Sequence, residues 1–344
     1  MTHRFLVSVG GVMALIAILL LATTSMSGQG PLAGTNTNEG AAKTYSPPRT
    51  PDGQPDLQGY WTNAGYAPLE RPDKVTKEFY TPEEAAAFEK QFVDREAEQT
   101  VPGTIPDVHY DHSQFGLDRS LAGFSSNLRT SLIVDPPNGK LPPLSAEGRK
   151  RAAERAEAAK RMGGPYDAAQ NLPLGTRCVA MDRMLPMLYG NYNNNYQIVQ
   201  APGYVIILTE MLHDLRVIPL DGRPQLPQNV RQWSGSGRGH WDGDTLVVET
   251  TNFNGKNPLR GSSENMRLVE RFTRVDENTV RYQFTVDDPA TWTRPWSVEM
   301  PMKRTIGPIF EHACHEGNYG LYNILAGARA DEKRAQEPAK KEAK

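Results

Sequence analysis

The chain has 344 residues, of which 38% are hydrophobic and 23% charged, and 38 basic against 40 acidic residues leave a net charge of −2. This length accommodates one large domain or two modest ones, and the hydrophobic content excludes disorder of the whole chain. The near-neutral charge provides no field for holding a polyanion, so we expect no nucleic-acid partner.

The N-terminus has the pattern of an export signal. Arg4 precedes an uncharged apolar run at residues 5–22, and small and polar residues follow around Ser27. This layout is typical of a secretory signal peptide, although the run is nearly long enough to span a bilayer. Residues 1–27 are therefore predicted to be a signal peptide or an uncleaved anchor. We expect a periplasmic or secreted protein that contacts a membrane only through this segment, if it is uncleaved.

Composition divides the rest of the chain into four parts. Residues 28–55 are rich in Gly, Pro, Thr and Asn, which predicts a disordered linker. Residues 56–170 are predicted to hold a first strand and a helical segment. An antiparallel β-barrel is expected at 171–330, followed by a charged tail at 331–344.

Two helices are predicted in the second part. Thr81, Pro82 and Glu84 have the spacing of a capping box with proline at the first helical position, and the helix is expected to end near residue 99. A second helix is expected from Ser145 to Met162. Its only other apolar residues are alanines, so we expect it to be solvated.

From residue 178 onward, apolar residues alternate with a period of two, and turn sequences separate the runs. Eight strands are predicted, at residues 196–199, 205–208, 215–220, 238–241, 245–251, 268–275, 279–286 and 296–302. Closely spaced strands without intervening helices indicate a mainly β fold, either an antiparallel barrel or a closed sandwich.

Cys178 and Cys314 are the two cysteines of the chain. In an exported protein, a lone pair of cysteines predicts one disulfide. Two buried free thiols are the alternative.

Alternation along the predicted hairpins points to a set of candidate catalytic residues. Arg238, His240 and Glu249 share one face of the first hairpin, and Glu270 falls on an otherwise apolar face of the next. A buried carboxylate must be paired, hydrogen-bonded or protonated. We expect His240 to act as acid and base, Glu249 or Glu270 as its partner and Arg238 as an anion stabiliser. A structural ion-pair network is the alternative.

Further residues are candidates for ligand binding because they combine aromatic faces with amide, imidazole or carboxylate groups. They are Tyr192, Asn194, Tyr196, Trp241, His315 and Glu316. For the run around Asn194, a polar turn between strands is the alternative interpretation.

Histidines three residues apart occur twice, His109 with His112 and His312 with His315. The second pair continues into Glu316 but lacks the H-E-x-x-H pattern of zinc peptidases. We expect no metal and no cofactor. His213, which precedes Asp214 between two predicted strands, is expected to lie in an exposed turn.

Two resemblances add to these predictions. Gly59-Tyr60-Trp61 at the first strand resembles the G-x-W start of lipocalin-like barrels. The segments TPDGQPDLQGYW, RGHWDGDTLVVETTNF, LVERFTRVDENTV, DDPATWTRPW and HACHEGNYG are together similar to a large family of exported, functionally uncharacterised proteins from soil bacteria. The resemblance implies export and carries no activity or cofactor. An aromatic residue is frequent in that family where this chain has His312, which favours His315 and Glu316 as site residues.

The sequence thus predicts a mainly β, lipocalin-like antiparallel barrel or closed sandwich with an N-terminal helical segment. Its cavity is expected to take a small amphipathic or sugar-like ligand. As an enzyme, it would carry out cofactor-free acid/base chemistry such as hydration, elimination or isomerisation. A non-catalytic ligand-binding or structural protein is the alternative.

Overall fold

A computed structural model describes residues 45–96, 128–181, 184–190 and 192–336. All of them belong to one compact unit, Tyr45–Lys344. The predicted signal segment, residues 28–44 of the predicted linker, His109, His112 and the end of the charged tail lie outside the described residues.

Nine strands form a nearly closed antiparallel barrel, which confirms the predicted fold class. Their spatial order is β5-β4-β3-β1-β10-β9-β8-β7-β6, and β2 pairs with β10 outside this path. The strands are β1 (Gly59–Thr62), β2 (Ile133–Asp135), β3 (Asn195–Ala201), β4 (Tyr204–Thr209), β5 (Leu215–Pro219), β6 (Ser236–Asp242), β7 (Thr245–Thr251), β8 (Arg267–Asp276), β9 (Thr279–Asp287) and β10 (Trp296–Arg304).

The described residues also form three α-helices, α1 (Pro82–Glu96), α2 (Ala146–Arg161) and α3 (Tyr319–Gln336). Short 3₁₀ turns lie at Ala169–Asn171, Met211–His213 and Leu259–Gly261. The third helix begins well before the predicted charged tail at 331–344. Within the described residues, none of these helices combines the length and apolar character needed to cross a membrane.

Each of the eight predicted strands is present, with ends moved by no more than two residues. The barrel also takes in β1, which pairs with β3 on one side and β10 on the other. The first strand of the chain is therefore an integral part of the barrel that was expected from residues 171–330 alone.

Residues 45–55, the described part of the predicted linker, lie on the barrel. Arg49 bridges to Pro55 in the backbone, and its guanidinium is 2.6 Å from the carboxylate of Asp244. The predicted disordered linker is therefore ordered from residue 45, because Pro55 is buried against the barrel and a local turn joins Thr50 to Gln54.

The predicted register of the hairpin between β8 and β9 is confirmed. Glu270 lies opposite Phe284 and Phe272 opposite Tyr282, on the inner face. A shift of register after Arg274 absorbs the extra residue of the connection.

The hairpin between β6 and β7 turns one residue later than predicted. Asp242 pairs with Thr245, so Gly243 and Asp244 form the turn, and Gly243 has the left-handed φ of +56° that favours glycine there. The residue opposite each residue of β6 therefore lies two positions further along β7 than predicted. A change of two positions leaves each side chain on its predicted face.

Large aromatic side chains fill the interior of the barrel. The five largest fully buried ones are Trp61, Phe272, Tyr282, Phe284 and Trp296. They meet at inclined angles, as for Phe284 and Trp296, whose ring centroids are 5.8 Å apart at 72°. The core thus occupies the barrel axis itself.

The Gly59-Tyr60-Trp61 start has a clear packing role. The Arg304 guanidinium lies 4.8 Å from the Trp61 ring centroid. A Cβ on Gly59 would be 3.0 Å from the Nη1 atom of Arg304. Gly59 also has a φ of +131°. Glycine at this position therefore lets the cation stack on the tryptophan.

Gly239 of β6 lets the barrel close against β5. A Cβ on Gly239 would lie 2.6 Å from Leu220 and 2.8 Å from Ile218, whereas one on Gly237 would be no nearer than 3.4 Å to any side chain. The glycine-rich run therefore makes room for side chains next to β5, and β5 meets β6 by packing without a ladder of hydrogen bonds.

Both predicted helix starts are confirmed. In α1, Glu84 N–H donates to Thr81 Oγ1 and Thr81 N–H to the Glu84 carboxylate. In α2, the Ser145 hydroxyl accepts from Gly148 N–H at 2.9 Å. Gly148 is the one buried residue of α2. A Cβ there would come 2.4 Å from the Thr291 carbonyl oxygen, so glycine allows the helix to dock.

The seam between β5 and β6 generates a test of stability. Gly239→Ala is expected to lower the free energy of unfolding by about 1–3 kcal/mol, because the added Cβ would lie 2.6 Å from Leu220 and 2.8 Å from Ile218. Gly237→Ala is the matched control and should change it much less. Urea unfolding followed by circular dichroism measures both; equal effects would contradict the proposed role of the seam.

Candidate functional site

A cleft of about 310 Å³ lies at the end of the barrel where long connections join the strands. Its wall combines the turn between β4 and β5, the residues before β6 and the segment after β10. The lining includes His213, Asp214, Trp233, Ser234, Asn257, Glu311, His312, Cys314, His315 and Glu316. Three of the seven histidines of the chain therefore face one cavity.

The backbone of the cleft is unusually strained. Leu212 and His213 are consecutive non-glycine residues with left-handed φ values of 57° and 52°, and Cys178 has a φ of 55°. Such conformations cost about 1–3 kcal/mol each and tend to cluster at functional sites. Here they turn the chain sharply between β4 and β5 and bring His213 to the cavity.

The two cysteines hold one wall of the cleft. Cys178 and Cys314 lie at disulfide distance, with the sulfur atoms 2.09 Å apart. The Asn318 amide donates to the Thr176 carbonyl at 3.0 Å and so joins the same two segments. The bond ties the chain that follows β10 covalently to the segment before β3.

The imidazoles of the cleft have distinct partners. His213 Nε2 is 3.9 Å from the Glu311 carboxylate. His312 Nδ1 accepts a hydrogen bond from Leu212 N–H at 3.3 Å, an arrangement that leaves the proton of a neutral ring on Nε2. The Tyr192 ring lies 6.2 Å from His312.

Asp214 and Ser234 are neighbours in the lining of the cleft. The Ser234 hydroxyl donates to the Asp214 carboxylate at 2.9 Å. Beside them, Trp233 is 41% exposed and so offers an uncovered indole face. Aromatic, hydroxyl, carboxylate and imidazole groups thus converge on one small volume.

A buried charge pair lies inside the barrel, two residues beyond Asp214. The Arg216 guanidinium donates two hydrogen bonds to the two carboxylate oxygens of Glu270, which is fully buried. The bond from Nη1 is 3.1 Å long. Tyr282 donates to the same carboxylate at 2.8 Å, and the Tyr282 oxygen accepts from Met187 N–H at 3.1 Å. Every member of this buried network has a partner.

The charges of this network shift the pKa values of its members. Burial acts to lower the pKa of Arg216, but the charge and hydrogen bonds of Glu270 outweigh it, with a contribution from Asp214, and the net shift is upward. Burial, reinforced by the Glu270 charge, raises the pKa of Tyr282 well above its usual value. Arg216 is therefore a fixed cation and Tyr282 a fixed neutral donor.

The structure does not bring the four predicted catalytic residues together. Val248 lies opposite Glu270 and Val247 opposite His240, so Glu270 faces the interior and His240 the outside. His240 is exposed. The predicted partnership of these two residues is therefore not formed, because adjacent positions of β7 point to opposite faces of the sheet.

Arg238 and Glu249 also lie on the outer face. Arg238 donates to the carbonyl of Pro224 and to the Ser236 hydroxyl, both at 3.0 Å. Glu249 pairs with Arg267 at 2.5 Å. In place of the predicted Arg238, the cation that meets Glu270 is Arg216.

The predicted ligand-binding residues separate into three groups. His315 and Glu316 line the cleft, and Tyr192 lies behind it against His312. The others serve the fold. Asn194 is buried and bonds both backbone groups of Gly190, Tyr196 is buried in the core, and Trp241 packs against the core from β6.

Sequence reasoning missed Asp214, Trp233 and Ser234 as partners in one site. His213-Asp214 was expected in an exposed turn, and His213 is indeed exposed, but that turn borders the cavity. The available signal was the placement of a histidine, an aspartate and a tryptophan at strand ends. Which strand ends adjoin follows only from the closure of β5 on β6.

Within the described part of the chain, no three His, Cys, Asp or Glu side chains are arranged to hold a metal ion. Comparison with protein families, with curated proteins and with solved structures finds no match to this chain.

The pairing of the cysteines predicts a specific peptide map. Tryptic digestion without reduction should yield one cross-linked species that contains Cys178 and Cys314. Mass spectrometry before and after reduction measures it. Two separately alkylated peptides from unreduced protein would contradict the disulfide.

The buried charge pair predicts non-additive stability effects. Arg216→Met is expected to lower the free energy of unfolding by about 3–5 kcal/mol, because it strands the Glu270 charge in the interior. The double variant Arg216→Met with Glu270→Leu should be considerably more stable than this single variant. Urea unfolding of both provides the comparison, and additive losses would show that the two side chains do not act as a pair.

Proposed function

We propose that the cleft beside the Cys178–Cys314 bond binds a small, polar, sugar-like ligand. The observation that carries this proposal is the convergence of three imidazoles, three carboxylates and an exposed indole on about 310 Å³. Volumes near this size are typical of small-molecule sites.

The chemistry of the lining favours a hydroxylated ligand. Imidazoles donate and accept hydrogen bonds, carboxylates accept them, and the indole of Trp233 offers a face for the C–H side of a sugar ring. Basic and acidic side chains are mixed, so the cleft does not select a strongly charged ligand. The barrel axis is filled by aromatic side chains, which favours the cleft over the interior as the place of binding.

The second candidate function is cofactor-free acid/base catalysis on that ligand. It is favoured by the His213–Glu311 contact, in which a carboxylate lies 3.9 Å from an exposed imidazole at a strained turn. His213 would exchange a proton with the ligand, and the Glu311 carboxylate lies beside its ring. His315 and Glu316 are positioned on the same wall to bind hydroxyl groups.

The location that we propose for this activity is the periplasm or the cell exterior. The support is the apolar N-terminal run behind Arg4, the resemblance to exported proteins of soil bacteria and a cysteine pair at disulfide distance. We also propose, from the same resemblance, that the chain belongs to that family of exported proteins.

Ligand binding is testable with the intrinsic fluorescence of Trp233. We expect titration with a panel of methyl glycosides, aldonic acids and phenolic glycosides to change the emission of the wild-type protein for at least one class. Trp233→Phe should abolish this change, whereas Trp241→Phe, on β6 outside the cleft, should retain it. A response that survives Trp233→Phe would place binding elsewhere.

Acid/base chemistry predicts hydrogen exchange. Each compound that binds is incubated with protein in D₂O, and proton NMR follows deuterium entry at its carbon atoms. His213→Gln is expected to reduce the exchange rate by about 10²-fold or more, the usual contribution of a general base. His240→Gln, an exposed histidine outside the cleft, is the control and should leave the rate unchanged.

A further inference from the structure

A second cavity, of about 220 Å³, lies at the same end of the barrel and shares no lining residue with the cleft. It is built from the segment after β1, the segment before β3 and one turn between β7 and β8. Its lining residues are Gly65, Tyr66, Ala67, Pro68, Leu69, Leu132, Leu188, Tyr189, Gly190 and Arg260.

The wall of this cavity is apolar apart from a single cation. Leu132 and Ala67 belong to the core, and Leu69, Leu188 and Tyr189 pack on it. The Tyr189 hydroxyl donates to the Ala67 carbonyl, and burial raises the pKa of Tyr189, so this group stays neutral and internally satisfied. Arg260 is the one charged residue of the lining.

The backbone presents Arg260 in a fixed position. Its φ of 47° and ψ of 32° are left-handed, a conformation that a residue with a side chain rarely adopts. Leu259, the preceding residue, is 4% exposed and anchors the turn in the core. Arg155 of α2 donates to the carbonyls of Gly261 at 3.0 Å and Ser262 at 3.3 Å, so the turn is held from the other side as well.

The guanidinium itself is available. Arg260 is exposed, and no described residue forms an ion pair or side-chain hydrogen bond with it. An apolar recess with one such cation at its rim matches a ligand that has an apolar body and one anionic end. A carboxylate suits this cation best, because the planar guanidinium can bind both of its oxygens.

We propose that this cavity is a binding site for a small amphipathic carboxylate, with its apolar part between Leu69, Leu132 and Leu188 and its carboxylate on Arg260. The volume is below the range of drug-sized sites, which favours a single short chain or ring. The proposal is independent of the sugar-like ligand proposed for the cleft.

Octanoate binding to the full-length protein tests this site, with isothermal titration calorimetry as the measurement. Arg260→Gln is expected to weaken octanoate binding about tenfold, the effect of losing a charge-assisted hydrogen bond. The octanoate affinity of Arg260→Lys should lie between those of the wild-type protein and Arg260→Gln. Arg281→Gln, which removes an exposed arginine of β9 outside the cavity, should not change the affinity.

Two further arms test the apolar part and the charge. Gly65→Leu should block octanoate binding, because the leucine side chain fills the recess. A Cβ on Gly65 would lie 3.5 Å from Tyr189, an ordinary contact distance, so we expect this variant to fold. Octyltrimethylammonium should bind more weakly than octanoate. Thermal melts confirm that each variant is folded.

The proposal is overturned if octanoate does not bind, if Arg260→Gln and Arg281→Gln bind it equally, or if folded Gly65→Leu retains full affinity. Trp233→Phe separates the two sites, because it should leave octanoate binding intact whatever its effect on the cleft.

Discussion

The contact between Arg216 and Glu270 constrains the position of the strand that completes the barrel. Arg216 lies on β5, at one end of the strand order, and Glu270 lies on β8, the third strand from the other end. Because both charges are buried, β5 can dock only in a register that lets them meet. A buried ion pair is a weak source of net stability compared with an apolar pair of the same shape. Its contribution here is to favour this position of β5, because another register would leave the buried Glu270 charge without Arg216.

Closure of the barrel depends on the same strand. No ladder of hydrogen bonds joins β5 to β6, so the seam is held by side chains that pack over the glycines of β6. The connection between the two strands then crosses the outer face, where the Asn252 amide donates to the carbonyls of Leu226, Pro227 and Val230. Arg216, the seam and this connection together set where the turn containing His213 lies. The geometry of the cleft is therefore a consequence of how β5 is placed.

The strands and their faces were predictable because the signals are local. Alternation identified the inward side of β8 and β9, including Glu270. It also held for β6 and β7, because moving their turn by one residue changes the partner of each residue by two positions. The partner of Glu270 was not predictable in this way. Arg216 is 54 residues away in the chain, and its selection depends on which strands adjoin after closure. Arg238 is closer to Glu270 in the sequence than Arg216 is. It lies on the outer face of β6, however, whereas Glu270 faces the interior.

The candidate site was predictable only in part for the same reason. His315 and Glu316, two of the predicted ligand-binding residues, line the cleft, but other groups of its lining come from before β6 and from the turn between β4 and β5. Such combinations of distant loops carry no periodic signal. His240, by contrast, has a clear place in its strand, and that place is on the outside.

The two ends of the barrel differ in a way that explains where both cavities lie. At one end the strands are joined by short turns, such as Gly243-Asp244, and Trp61 is covered by Arg304. Short turns contribute few side chains from which the walls of a cavity could be built. At the other end, residues 210–214, 252–266 and 288–295 connect β4 to β5, β7 to β8 and β9 to β10, and the side chains of these and neighbouring segments form separate walls. Because one wall carries histidines and carboxylates and the other carries leucines beside a lone arginine, the same end of the fold supports two sites of different chemistry.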